Sequence, residues 1–260
     1  GQPGHEACGT VAAVGAGVRL LRVGQRVSAW RDRGHHLAGC YAQYALFDEA
    51  SLIPVPDQLL PEACAPLELA MCASAHVMYA ETLDAIKGRR VGVFGLGPAG
   101  LVFVQLLRAA GAEHVVGFDP LPDRRMLASM VGADETHDPT EEEAKRFPER
   151  GQSGCLYASF DCAGKPEVVH RAMRETQHLV MLFAVQRHPY TFGPQHWAGL
   201  TLAGTRPHTR EAAEYAVDRL KDGRLDLGLL ITQTMHLSEY EKAVEMLAKR
   251  QALKIAFMPQ

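Results

Sequence analysis

Gly95-Leu96-Gly97-Pro98-Ala99-Gly100 holds three glycines in the G-x-G-x-x-G spacing, and the chemistry that spacing serves is the binding of a diphosphate. The first glycine permits a tight turn, the second lets backbone approach the anion, and the third lets a helix pack closely on a strand. Amides at the start of that helix then offer free donors and a partial positive charge. Asp119 follows the last glycine by 19 residues. A carboxylate there can accept hydrogen bonds from both hydroxyls of an adenosine ribose and would repel a 2′-phosphate, so NAD is expected in preference to NADP. Gly95, Gly97, Pro98, Ala99, Gly100 and Asp119 are the expected cofactor residues; Arg124, with Arg125, is where a 2′-phosphate would be met. A second chemical pair is His5-Glu6, an imidazole beside a carboxylate between Gly4 and Gly9. Such a histidine is either a metal ligand or a structural hydrogen-bonding group. His35-His36 beside Cys40 is read as solvated or at a substrate rim, since neighbours on an extended chain point apart.

These groups need elements to hold them. Arg90–Phe94 reads as a short apolar strand, 101–110 as an apolar helix stopped by Gly111, and His114–Asp119 as a second strand ending in an acid. A right-handed crossover makes those strands parallel neighbours. Helix at 124–131, strand at 158–162, helix at 167–175 and strand at 179–185 continue the alternation, which predicts a doubly wound α/β domain. Ahead of it, glycine-broken runs at 10–14 and 24–30 predict a small antiparallel sheet, and 62–86 predicts a helical linker. In the tail, Ser238-Glu239-Tyr240-Glu241 reads as a capping box ahead of a helix with Tyr240, Val244 and Leu247 on one face, followed by a strand at 254–257. Residues 140–153 read as a solvated loop or helix end.

The 260 residues, 47% hydrophobic and 22% charged, suit one large or two ordinary globular domains and exclude a disordered or coiled-coil chain. A formal charge of −3 gives no basic excess for nucleic acid or an anionic membrane, and neither is expected as a partner. With no apolar run of spanning length, no signal-peptide layout and six scattered cysteines without a CxxC pair, the expectation is a cytoplasmic protein with reduced thiols. The chain opens Gly1-Gln2-Pro3-Gly4-His5 without an initiator methionine, which suggests a fragment or a trimmed protein.

Taken together these motifs resemble the medium-chain dehydrogenase/reductases of the zinc-dependent alcohol and polyol dehydrogenase type. Gly4-His5-Glu6 with Gly9, Val14-Gly15, Val18, Val23-Gly24 and Arg26-Val27 is similar to that family's catalytic-domain signature. Gly39 with Ala42-Gln43-Tyr44, Ile53-Pro54-Val55-Pro56, the nucleotide loop with Asp119, Gly132-Ala133-Asp134, Phe160-Asp161 with Gly164, and Lys254 also fit, over essentially the whole chain. The resemblance implies a Rossmann parallel sheet plus a partial, β-rich GroES-like catalytic domain. Its boundaries are expected at 1–80 (GroES-like), 81–206 (Rossmann) and 207–260, the last completing the Rossmann sheet before returning to the catalytic domain.

What the resemblance implies chemically is a catalytic zinc, acting as a Lewis acid on the alcohol oxygen while hydride passes to NAD. It places His5 as a zinc ligand and Glu6 as a neighbour that tunes or transiently binds the metal. A further ligand is expected some two dozen residues before the nucleotide glycines, where Cys72 and Glu68 both stand; Cys72 fits the alcohol-dehydrogenase spacing better and Glu68 the polyol-dehydrogenase acid. A buried thiol and a solvated helix acid are the ordinary alternatives. The family's earlier cysteine ligand, about twenty residues before the histidine, is absent from the chain, and with Cys40 alone in the structural-zinc region no structural zinc is expected. Cys8 reads as packing, and the bulky run at 179–185 either narrows the nicotinamide side or is simply the apolar run of a buried parallel strand. The implied function is hydride transfer between a secondary alcohol, a polyol or sugar derivative among them, and NAD. The alternatives are a zinc-free quinone or enoyl reductase using NAD(P)H, and a non-catalytic NAD-binding protein. The small-molecule partner is an alcohol or carbonyl compound, and a homo-oligomer is expected by analogy.

Overall fold

The structure, a computed structural model, describes residues 4–31, 38–141, 147–205 and 208–259. The chain divides into two compact units, Gly1–Cys72 with His208–Gln260, and Ala73–Pro207. His35 and His36 lie outside the described residues, as do residues 142–146 of the stretch read as a surface loop.

In the first unit three short strands form an antiparallel sheet, β1 (Cys8–Thr10), β2 (Arg26–Ala29) and β3 (Leu52–Pro54), with β2 in the middle. The first strand begins two residues earlier than its apolar run and ends at Thr10, because pairing with β2 stops at Arg26. Buried Ser28 on β2 donates its hydroxyl to the carbonyls of Ala7 (2.9 Å) and Cys64 (3.0 Å), which ties the segment after His5 to the helix ahead of Glu68. That helical region is two elements rather than one. Helix α1 (Pro61–Cys64) ends before Pro66, which has no amide to donate back along it, and α2 (Leu67–Thr82) starts directly after.

The second unit is organised on six strands: β4 (Arg90–Phe94), β5 (His114–Phe118), β6 (Glu135–His137), β7 (Leu156–Asp161), β8 (Thr176–Leu182) and β9 (Thr201–Ala203). They lie in the order β6-β5-β4-β7-β8-β9, all parallel. This is the doubly wound order, whose direction reverses between β4 and β7, and ligands of such sheets bind beyond the strand ends at that reversal. Helices α3 (Pro98–Ala109), α4 (Pro122–Met130), α5 (Pro166–Glu175) and α6 (Pro194–Trp197) connect the strands. Val91, Val93, Phe94, Val115, Val116, Phe118, Ala158, Phe160, Leu179, Val180 and Met181 are all buried, as continuous apolar runs covered on both faces must be. Phe94 stacks on Phe118 at 4.4 Å and the Arg171 guanidinium lies 4.9 Å from the Phe118 ring. Strand β8 starts and ends three residues earlier than its apolar run. Phe183, past its end, meets the rings of His76 and Phe103 edge-on, each at 5.0 Å, and Val185 is 87% exposed.

The C-terminal segment differs from expectation. No strand after Ala203 joins the six-stranded sheet among the described residues. Helix α7 (Arg210–Lys221) is followed by β10 (Ile231–His236), α8 (Tyr240–Ala248) and β11 (Lys254–Met258), and β10 pairs in parallel with β11 alone. The capping contact also sits earlier than the Ser238–Glu241 box: the His236 amide donates to Glu239 Oε2 at 3.2 Å, one turn ahead of α8. On α8 the buried residue is Ala243, while Tyr240, Val244 and Leu247 are 40%, 47% and 43% exposed. The compact units divide at 72/73 and 207/208, beside the boundaries of 80/81 and 206/207 expected from the sequence. Among the described residues no helix is long and apolar enough to cross a membrane.

Candidate functional site

In the second unit the three loop glycines have separate physical reasons. Gly95 sits at φ +93°, and a Cβ there would approach the Cys162 carbonyl carbon at 3.1 Å and the Ala163 amide nitrogen at 3.2 Å. Its own amide donates to the Phe118 carbonyl at 2.8 Å, which carries the parallel β4–β5 ladder one bond past Phe94. Gly100, on the first turn of α3, would drive a Cβ into the Gly95 carbonyl oxygen. Gly97 alone faces nothing within 4 Å, so the backbone there is open to a ligand. Gly97 is the N-cap of α3 and carries no capping side chain, and Pro98 follows at the first helical position, so the first amides the helix presents are those of Ala99 and Gly100.

Asp119 stands beside this loop. Its Oδ2 accepts from the Leu96 amide at 2.8 Å and its Oδ1 from the Leu121 amide at 2.9 Å, and the residue is buried. Two backbone donors therefore fix the carboxylate plane, and each oxygen keeps a second lone pair for a ribose hydroxyl. Arg125 is drawn into the framework, donating to the Asp119 carbonyl at 2.8 Å and pairing with Asp138 at 3.2 Å. Arg124, half-buried on α4, occupies the position next to it. The open Gly97 backbone, the helix amides and the aimed carboxylate fit an adenine dinucleotide.

The second constellation lies wholly in the first unit and centres on Glu68, at the start of α2 and buried. Cys72 is one turn further along the same helix and its thiol lies 3.2 Å from Glu68 Oε1. The structure thus joins the two residues between which the spacing had to choose. His208 Nε2 is 2.8 Å from the same oxygen and 3.9 Å from Cys72 Sγ. On the other side of the carboxylate, His5 Nε2 is 3.6 Å from Glu68 Oε2. Two triads of metal-ligating type therefore share Glu68, one with Cys72 and His208 and one with His5 and Glu6, the donor atoms of each lying within 4.8 Å of one another. Imidazole, thiol and carboxylate are donors of the kinds zinc accepts.

Local chemistry sets the states of these groups. Burial, then the Glu68 carboxylate, pushes the Cys72 thiol well above its ordinary range. Glu6 is held by Lys254 from β11, whose Nζ lies 2.8 Å from Oε1 and 2.7 Å from Oε2. Cys8, away from this cluster, shares a hydrogen bond with Cys64 that together with burial raises its thiol, which fits a packing role. All six cysteines are free thiols.

His208 escaped the sequence reading. It stands 140 positions from Glu68, in a segment with no motif spacing to either Glu68 or Cys72. The only local signal is its place just ahead of Thr209, whose hydroxyl accepts from the Ala212 amide at 3.2 Å and caps α7.

With the geometry in place, comparison with known proteins gives a consistent picture. Residues 98–205 match the family model described as zinc-binding dehydrogenase, and residues 1–57 match the alcohol dehydrogenase GroES-like domain. The chain is 31% identical over 198 residues to the (R,R)-butanediol dehydrogenase of Bacillus subtilis, a match covering 66% of the chain and 55% of that enzyme. It is 26% identical to the L-threonine 3-dehydrogenase of Legionella pneumophila, covering 97% of the chain and 81% of the enzyme. Among solved structures, the 2R,3R-butanediol dehydrogenase of Bacillus subtilis superposes with a TM-score of 0.84 at 25% identity over 98% of this chain and 80% of that one. A Sinorhizobium meliloti 1021 protein bound to NADP, provisionally classed as a zinc-binding dehydrogenase, gives 0.81 at 25% identity over 92% and 78%.

Proposed function

From a chain that belongs to the zinc-dependent medium-chain alcohol and polyol dehydrogenases, we propose an oxidoreductase that moves hydride between a secondary alcohol and NAD, with zinc bound at Glu68. The observation that carries this reading is the pairing of two sites in one chain: a dinucleotide loop with an aimed Asp119, and a thiol, imidazoles and a carboxylate gathered at Glu68. When bound, zinc supplies a Lewis acid that lowers the pKa of an alcohol hydroxyl.

The rest is done by the chain's own residues. Ala99 and Gly100 present their amides to the diphosphate, Gly97 leaves room for it, and Asp119 receives the adenosine ribose. Glu68 and Cys72 are the metal donors on α2, and His5 reaches the second oxygen of Glu68. Lys254 keeps Glu6 beside His5 as an acid that can approach or leave the metal. NAD is favoured because the fixed Asp119 carboxylate repels a 2′-phosphate and Arg125 is committed to Asp138; Arg124 is the residue that would answer one. A cluster of metal donors also supports the zinc-dependent reading over a zinc-free reductase. The substrate class is drawn from relatives named for a vicinal diol and a hydroxy amino acid.

Purified protein reconstituted with zinc should reduce NAD in the presence of a panel of secondary alcohols that includes 2,3-butanediol and L-threonine. No turnover on the panel, together with no calorimetric uptake of NAD, would overturn the proposal.

A further inference from the structure

We propose that His208 is a direct ligand of the metal bound at Glu68 and Cys72, so that the segment ahead of α7 supplies a donor to a site otherwise built on α2. The inference rests on the zinc reading above and extends its ligand set.

Three observations support it. Glu68 Oε1, Cys72 Sγ and His208 Nε2 form a triangle with edges of 3.2, 2.8 and 3.9 Å. Zinc at about 2.3 Å from sulfur and about 2.1 Å from nitrogen and oxygen in tetrahedral geometry separates its donors by about 3.4–3.6 Å. Each edge therefore needs an adjustment of roughly half an ångström, within the freedom of side-chain torsions. The donors are also of three different chemical kinds converging on one point, which packing alone does not require. Third, His208 is held from behind: Thr209 caps α7, so the imidazole leaves from the start of an anchored helix. Its side chain is 35% exposed, which leaves a flank open to solvent or substrate.

The competing account makes His208 a hydrogen-bond partner of Glu68 that never touches metal, and X-ray absorption separates the two. The unaltered chain, stripped with chelator and reloaded with zinc, should show one sulfur and an imidazole contribution. C72S should lose the sulfur path, and H208A, loaded at saturating zinc, should lose one imidazole while keeping the sulfur. H208A should also weaken zinc by more than the roughly 10–100-fold that loss of an outer hydrogen-bonding partner costs. Far-ultraviolet circular dichroism matching the unaltered chain establishes that H208A is folded, as a partly exposed loop position predicts. An unchanged imidazole count in zinc-loaded H208A overturns the ligand assignment and leaves the zinc reading standing. Failure of the unaltered chain to take up zinc overturns both.

Discussion

Asp119 is held by two amides before any ligand arrives, so its substitution removes a positioned acceptor rather than a mobile one. Asp119→Ala should weaken NAD by about 10–100-fold, the cost of about 1.5–3 kcal/mol of charge-assisted hydrogen bonding, and weaken NADP less; calorimetry with both dinucleotides checks this. Equal losses would remove Asp119 from the ribose. Glu175 gives a pH test. It is 2% exposed with Arg171 at 2.8 Å, yet burial outweighs that partner and raises its carboxyl from 4.5 to about 7. Between those pH values the unfolded chain has released the proton and the folded one keeps it, so the native state is progressively disfavoured as pH rises from about 4.5 to 7. Glu175→Gln should therefore gain stability relative to the parent across that window, by about 3 kcal/mol at its upper end, in denaturant titrations at pH 5 and 7.5. At this scale the glycine turn and the place of Asp119 beside it were legible because their spacing is local. His208 was not, since only the tertiary fold brings it to Glu68.

At the scale of elements, the loop and helix that begin at Gly95 separate folding from binding. Gly97→Ala puts a methyl into open space and should leave the melting temperature nearly unchanged while cutting dinucleotide affinity, because the methyl occupies the anion's approach. Gly100→Ala forces that methyl into the Gly95 carbonyl and should destabilise the fold by an overpacking penalty of about 1–3 kcal/mol or more. Thermal denaturation with and without NAD distinguishes them, and equal destabilisation by both would contradict the open approach at Gly97. The long buried strands were readable because a strand covered on both faces is a continuous apolar run. Strands β6 and β9, three residues each, carry too few residues for a pattern, and helix α7 and β10 went unread. The stripe of α8 is only partly covered: Ala243, three positions after Tyr240 and four before Leu247 on the same side, is buried, while Tyr240 meets the rings of Tyr41 and Phe257 at 5.9 and 6.0 Å and stays 40% exposed.

For the whole molecule, the division into two units makes ligand effects separable. Hydrogen exchange should show NAD protecting β4, the glycine loop and α3, where dinucleotide at a hundredfold excess over its dissociation constant adds about 2.7 kcal/mol. Removing zinc with chelator should instead raise exchange at Glu68–Cys72 and around His5 and His208, leaving the six-stranded sheet as it was. A uniform response to both ligands would argue against two sites. The architecture was legible as alternating strand and helix grammar, while the tail's pairing was not, because β10 offers no apolar run to mark it as the partner that β11 takes.

Lys254 lies near the end of the sequence and grips Glu6 near its beginning, 248 positions away. Replacing Lys254 with a neutral residue would leave that acid without its cation beside His5, so an edit in β11 that looks remote on paper would be felt at the cluster around Glu68.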